Sequence, residues 1–252
     1  MKKPHLFPLP LLLLLMASCS GEPGKKSVPE PPNILFIAVD DLRPELGCYG
    51  EGHIYSPNID RLAAQGTRFD RSYCNIPVCG ASRASLMTGL RPARNRFLSY
   101  STWIDEDARG ITTLPQHFRN NGYYTISNSK ILHHATDAAG SWDEIWRPPS
   151  NSKSWRDYAV MENILADNDT SDKLRGPPFE RAQIHDTVYK DGRTAQKVIS
   201  DLQKLKGMDK PFFLTAGFLK PHLPFNAPEK YWKIYDGKVR LPSNNHLSLI
   251  HI

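Results

Sequence analysis

The chain has 252 residues, 40% of them hydrophobic and 23% charged, with 16 glycines and 21 prolines spread without an internal repeat. That composition describes a globular protein with one large core or two small ones and excludes a disordered, collagenous or coiled-coil chain. The formal charge of +6 comes with no Lys/Arg block long enough to make a nucleic-acid stripe, so no nucleic-acid partner is expected.

The N-terminus reads Lys2-Lys3, then an apolar stretch from Leu6 to Ala17 that includes Leu11 to Leu15, then Met16-Ala17-Ser18-Cys19. The stretch is shorter than the roughly 20 residues a membrane span needs, and small residues before a cysteine resemble a bacterial lipoprotein cleavage box. The expectation is that residues 1–18 are an export signal and that Cys19 is lipidated. Residues 19–31 would then tether the protein to the membrane, in the periplasm or at the outer-membrane surface. Plain secretion, with Cys19 removed or unmodified, is the other outcome. The remaining cysteines, Cys48, Cys74 and Cys79, form neither a disulfide scaffold nor a zinc motif.

Asn33 to Val39 is continuously apolar and partly β-branched, which predicts a strand buried on both faces of a parallel sheet and ending at Asp40-Asp41. Ser56-Pro57-Asn58 opens a helix with Ile59, Leu62 and Ala63 on one face and Gly66 as its stop. A short helix follows Cys79 and ends at Gly89. Thr113-Leu114-Pro115 opens another, closed by Asn121-Gly122, and Tyr123 to Ser127 is the next strand. Ser141 to Phe179 is rich in Trp, Pro, Asn and Asp without periodicity and reads as a long insertion over one end of the sheet. A helix from Thr194 to Lys206 carries Ala195, Val198, Ile199, Leu202 and Leu205 at helical spacing, with Gly207 beyond it, and Pro211 to Phe218 is a further strand. Strands alternating with helices predict an α/β layered fold with ligand sites beyond the carboxyl ends of the strands, where Asp40 and Asp41 lie.

Two adjacent carboxylates about 4 Å apart repel by roughly 4 kcal/mol at an effective dielectric near 20, a cost that a cation removes. Oxygen ligands favour Ca²⁺ or Mg²⁺, and both side chains meet one ion only if the backbone turns, which Leu42-Arg43-Pro44 permits. A solvated turn accounts for the pair as well. Cys79 precedes a helix that carries Arg83, so it reads either as a thiolate with a lowered pKa or as a small buried residue. No histidine lies nearby in sequence to act as its partner.

The stretch Val78-Cys79-Gly80-Ala81-Ser82-Arg83, running on to Leu86-Met87-Thr88-Gly89, resembles the sulfatase signature. In that signature the cysteine is converted to formylglycine, whose hydrate attacks sulfur. Pro32 to Pro44, Gly47-Cys48-Tyr49-Gly50 and Ser56-Pro57-Asn58-Ile59-Asp60 resemble the iduronate-2-sulfatase branch of the type I sulfatases. The resemblance runs from about Pro32 to Pro242, and it implies an alkaline-phosphatase-like α/β fold with a central, mostly parallel sheet. It makes Asp40, Asp41 and residue 79 ligands of Ca²⁺, with Mg²⁺ as the second choice, and makes residue 79 the nucleophile after a maturase has produced formylglycine. Arg83 would steady the hydrate. Gly122-Tyr123-Tyr124-Thr125 with Lys130 and His133 resembles the second signature, in which the lysine grips a sulfate oxygen and the histidine positions the hydrate; His134 is the alternative to His133. Lys220-Pro221-His222-Leu223-Pro224-Phe225 resembles a block whose histidine faces the sulfate, with Lys220 a substrate contact or a structural flank.

The implied activity is removal of sulfate from sulfated sugars or glycosaminoglycan-like polysaccharides. Ala81 stands where the signature usually has Pro, a change that the resemblance implies anaerobic radical maturases tolerate while the aerobic enzyme prefers Pro, and Ser129 replaces the usual Gly. The family's later metal pair, its further lysine and its C-terminal subdomain have no counterpart, and residues 243–252 match no family segment. Residues 32–242 are therefore expected to be the first part of a catalytic domain, with little activity alone. Two competing readings are a non-catalytic lipoprotein that binds sulfated glycans and a phosphatase or phosphonate hydrolase of the alkaline phosphatase superfamily. Cys79 with Arg83 favours sulfate over phosphate.

Overall fold

The computed structural model describes residues 30–150, 155–169 and 176–239. The export signal, Cys19 and the 243–252 tail lie outside the described residues. In chain order the elements are β1 (Ile34–Val39), α1 (Pro57–Gln65), α2 (Cys79–Thr88), the single turn α3 (Ile104–Asp107), α4 (Leu114–Asn120), β2 (Tyr124–Ser129), β3 (Glu144–Trp146), α5 (Met161–Asn168), β4 (Phe179–Ala182), α6 (Lys190–Leu205), β5 (Phe212–Phe218), β6 (Phe225–Pro228) and α7 (Glu229–Tyr235).

Among the described residues β1, β5, β2 and β3 form an all-parallel sheet in that order, and β4 and β6 form a separate parallel pair. Parallel neighbours need long crossovers, and helices supply them, which gives the predicted α/β layers. Alternation along β5 divides the core between the two faces of the sheet. Phe213 points to one side, where it stacks on Phe118 of α4 at 4.6 Å and joins Ala81, Ala84 and Met87 of α2. Leu214 and Ala216 point to the other, against Val198 and Leu205 of α6.

Several elements depart from the sequence expectation for identifiable reasons. β1 is not buried on both faces: among the described strands it pairs with β5 alone, and Leu35 and Ile37 are 44% and 51% exposed. The apolar stripe of α1 is likewise uncovered, with Ile59 and Leu62 exposed. α6 starts one turn before the expected Thr194, because Gly192 is not a helix breaker there; a Cβ at that position would lie 2.0 Å from the Asp186 carbonyl oxygen. Its inward stripe includes Asp201, which accepts from Asn128 Nδ2 at 2.8 Å, while Ile199 faces out. The aperiodic middle also contributes elements of its own, namely β3, α5 and the start of β4.

Register fixes what the sheet presents at one edge. Val39 sits opposite Phe218, and Ser129 opposite Gly217, so the chain leaves β1, β2 and β5 at the same level. Asp40, Lys130 and Leu219 therefore emerge side by side.

Candidate active site

Asp40 is 4% exposed, and its backbone N–H donates to the Phe218 carbonyl at 3.0 Å, so its carboxylate is fixed at the sheet edge. Arg83 Nη2 donates to Oδ1 at 2.9 Å, and Lys130 Nζ donates to Oδ2. Burial pulls the Asp40 carboxyl upward in pKa, but Arg83 and Lys130 outweigh it and hold the group below the usual carboxylate range. The backbone does turn at Asp41, where φ is 56°. The turn sends the Asp41 side chain outward, with Oδ2 4.0 Å from His222 Nε2.

The N-terminus of α2 reaches this point because Gly80 lets it touch the Tyr100 backbone; a Cβ on Gly80 would lie 2.3 Å from the Tyr100 carbonyl oxygen. The helix ends as expected at Gly89, which takes a left-handed conformation with φ 71° and donates to the Ser85 carbonyl. Arg83 follows Cys79 by about one turn and so shares its face.

Cys79 does have a histidine partner, 54 residues along the chain: Sγ lies 3.3 Å from His133 Nδ1. Burial, reinforced by the Lys130 charge, pushes the His133 imidazole down to about 4, so it is neutral near pH 7. His134 turns away and stacks on Trp103, with ring centroids 4.1 Å apart and 4° between planes. Of the two adjacent histidines, His133 is the one brought to Cys79. Cys48, Cys74 and Cys79 are all free thiols.

His222 donates from Nδ1 to the Leu223 carbonyl at 2.7 Å, since a carbonyl only accepts, and this leaves Nε2 on the Asp41 side. Lys220 donates to the carbonyls of His222 at 3.1 Å and Pro224 at 2.5 Å. The structure thus places Lys220 as a brace of the loop that carries His222. Lys130, His133 and His222 line one cavity of about 360 Å³ together with Arg147, Trp155 and Lys190. The sequence reading missed those last three. Arg147 and Trp155 lie in the aperiodic stretch, where nothing in the pattern marks which side chains turn inward.

The fit to a divalent cation is partial. Asp40 and Cys79 are close to the same edge, but no group of three or more His, Cys, Asp or Glu side chains converges among the described residues. Both Asp40 oxygens are engaged by cations. The described residues do not by themselves form a Ca²⁺ or Mg²⁺ cage.

The sulfatase family model matches residues 32–245. The chain is 34% identical to human iduronate 2-sulfatase over 239 residues, which are 88% of this chain and 42% of that protein. It is 32% identical to a sulfatase of Formosa agariphila over 244 residues, 89% of this chain and 46% of that one. The chain therefore spans less than half the length of these relatives. A structure solved in complex with its substrate D-glucosamine-2-N,6-O-disulfate shares the fold, with a TM-score of 0.59 at 21% identity over 85% of this chain and 40% of that chain. A phosphonate monoester hydrolase from Silicibacter pomeroyi does so with a TM-score of 0.60 at 20% identity, over 84% of this chain and 46% of that one.

Proposed function

The chain belongs to the sulfatase family, and on that premise we propose that its pocket takes the sulfate ester of a sugar and that residue 79 attacks the sulfur. The observation that carries this reading is the 3.3 Å approach of Cys79 Sγ to His133 Nδ1 beside Lys130. A maturase, with Ala81 compatible with the anaerobic kind, converts Cys79 to formylglycine: its oxidant takes two electrons, the sulfur leaves as sulfide and water supplies the oxygen, and the hydrated aldehyde is the nucleophile. His133, neutral because it is buried, accepts the proton that the nucleophile loses. Lys130 holds a sulfate oxygen with the donors it does not spend on Asp40. His222, with Nδ1 committed to Leu223 and Asp41 4.0 Å from Nε2, assists proton transfer to the departing sugar oxygen through Nε2.

A divalent cation would add charge to polarise the sulfate, but it needs oxygen donors beyond those described here, so no step is routed through one. The same donor shortage supports the proposal that this chain alone turns over weakly. The resemblance of the Pro32 to Pro44 segment to the iduronate branch supports a 2-O-sulfated uronic acid or a similar unit of a polysaccharide as the substrate. The Met16-Ala17-Ser18-Cys19 box supports export and lipid anchoring.

The test is sulfate release from sulfated sugars and an aryl sulfate by the chain purified from a host with an active maturase, together with the mass of the peptide that carries residue 79. An aldehyde at residue 79 and slow turnover that falls to background in Cys79→Ala, with thermal unfolding unchanged, are expected. Equal turnover by Cys79→Ala overturns the reading.

A further inference from the structure

Two arginines divide the backbone carbonyls of the loop that follows β2. Arg83, reaching from α2, takes those of Lys130 and, at 3.0 Å, Ile131. Arg147, one residue past β3, takes that of Ser129 and, at 3.2 and 3.3 Å, those of Leu132 and His134. The carbonyls of residues 130, 131, 132 and 134 lie beyond the end of β2, where no ladder satisfies them, whereas Ser129 closes β2 and also accepts from the Ile131 N–H at 2.9 Å; the loop is buried at Ser129, Ile131 and Leu132. It also reverses sharply, with Ser129 in the left-handed region at φ 62°.

Arg147 is unusual in what it lacks. No carboxylate among the described residues pairs with it, and burial pushes its guanidinium down to about 10. An unpaired cation is costly to bury. What offsets that cost here is a planar fork whose two terminal nitrogens divide the work, Nη1 donating to Ser129 and Nη2 to Leu132 and His134, a spacing that the single nitrogen of a lysine does not reproduce.

We propose that Arg147 is a positioning residue that holds the 129–134 loop in the one shape that sets Lys130 against Asp40 and His133 against Cys79, so that the anion cradle is formed before any ligand arrives. This rests on the reading that the pocket takes a sulfate group. Pre-forming the loop removes the ordering cost from the binding step, so losing the fork weakens binding even where the charge is kept.

The test uses the full chain and inorganic sulfate as the probe, with binding read by calorimetry and the amide exchange of Lys130 and Ile131 read on the same samples. Arg147→Lys keeps the charge and loses the fork. It is expected to bind sulfate roughly tenfold more weakly and to exchange faster at those two amides, while β5 stays protected. Arg119→Lys is the control for general loosening. Arg119 donates to Asp143 at 2.9 Å and to the Gly140 carbonyl at 2.8 Å, outside the pocket, and its variant is expected to leave sulfate affinity unchanged. Wild-type affinity and exchange in Arg147→Lys, or an equal loss of affinity in Arg119→Lys, overturns the proposal. Should Arg147→Lys not fold, the wild type still decides. Lys130 and Ile131 amides protected before sulfate is added support the proposal, and protection that appears only with sulfate overturns it. A wild type that binds no sulfate defeats the sulfate reading, whereas the exchange measurement still reports on the loop.

Discussion

The loops after β2 and β5 each bring one histidine to the same cavity, yet the first is held by cations alone and the second by a carboxylate as well. The first is fixed through its carbonyl oxygens, which Arg83 and Arg147 gather, and it sits in the core. The second is anchored at its start through N–H groups: Asp191, in the first turn of α6, accepts from the backbone of Leu219 and Lys220, both at 2.8 Å, and the Lys220 ammonium then takes the carbonyls of His222 and Pro224. The second loop is open to water, with Leu223 about half exposed. Burial makes His133 a neutral acceptor, whereas the His222 ring stands beside the exposed Asp41 carboxylate. One site thus receives two histidines of different character from one residue type, and the difference lies in the bracing rather than in the rings.

The comparison can be broken one loop at a time. The largest effect is expected from Gly217→Ala. A Cβ on Gly217 would lie 2.3 Å from the Lys130 backbone, so the first loop must move while the second keeps all its contacts. A loss of about 2–3 kcal/mol is expected in a urea titration, with faster exchange confined to the β2 side. Asp191→Ala is the converse. It leaves the N–H groups of Leu219 and Lys220 without acceptors and should cost about 1–2 kcal/mol. Exchange should then quicken at 219–224 with Lys130 and Ile131 unchanged; loosening of both loops would show that they are one unit.

The smallest effect sharpens the electrostatics. Burial lowers the Lys220 ammonium from 10.5 to about 8, so between those values the unfolded chain binds more protons there than the folded one. Stability carried by this group therefore rises with pH across that window and is reduced below pH 8. Wild type should gain on Lys220→Met as pH is raised from 8 to 10.5, and parallel stability curves for the two would show that Lys220 titrates normally.

Much of the scaffold was legible in the residues. The runs at Asn33 and Pro211 gave strands, Gly89 closed a helix, and the α/β alternation followed from their order. Ser129 is instructive, because the position that the resemblance associates with glycine is the one that takes a left-handed φ of 62°. Less legible were the start of α6, hidden by Gly192, and the exposure of Leu35 and Ile37. A sequence pattern records which side chains are apolar, not which neighbours are present to cover them.

The same limit separates the two halves of the site. By itself the sequence singled out the candidates, Asp40, Cys79 with Arg83, Lys130, His133 and His222, because each sits in a local motif. Only the tertiary structure decided that His133 rather than His134 meets Cys79, that Asp40 faces in while Asp41 faces out, and that Lys220 braces a loop. It also brought in Arg147, Trp155 and Lys190. Local motifs are written by neighbours in the chain, whereas contacts across 54 residues depend on strand register and on the direction in which each loop leaves the sheet, and neither is fixed until the whole sheet has formed.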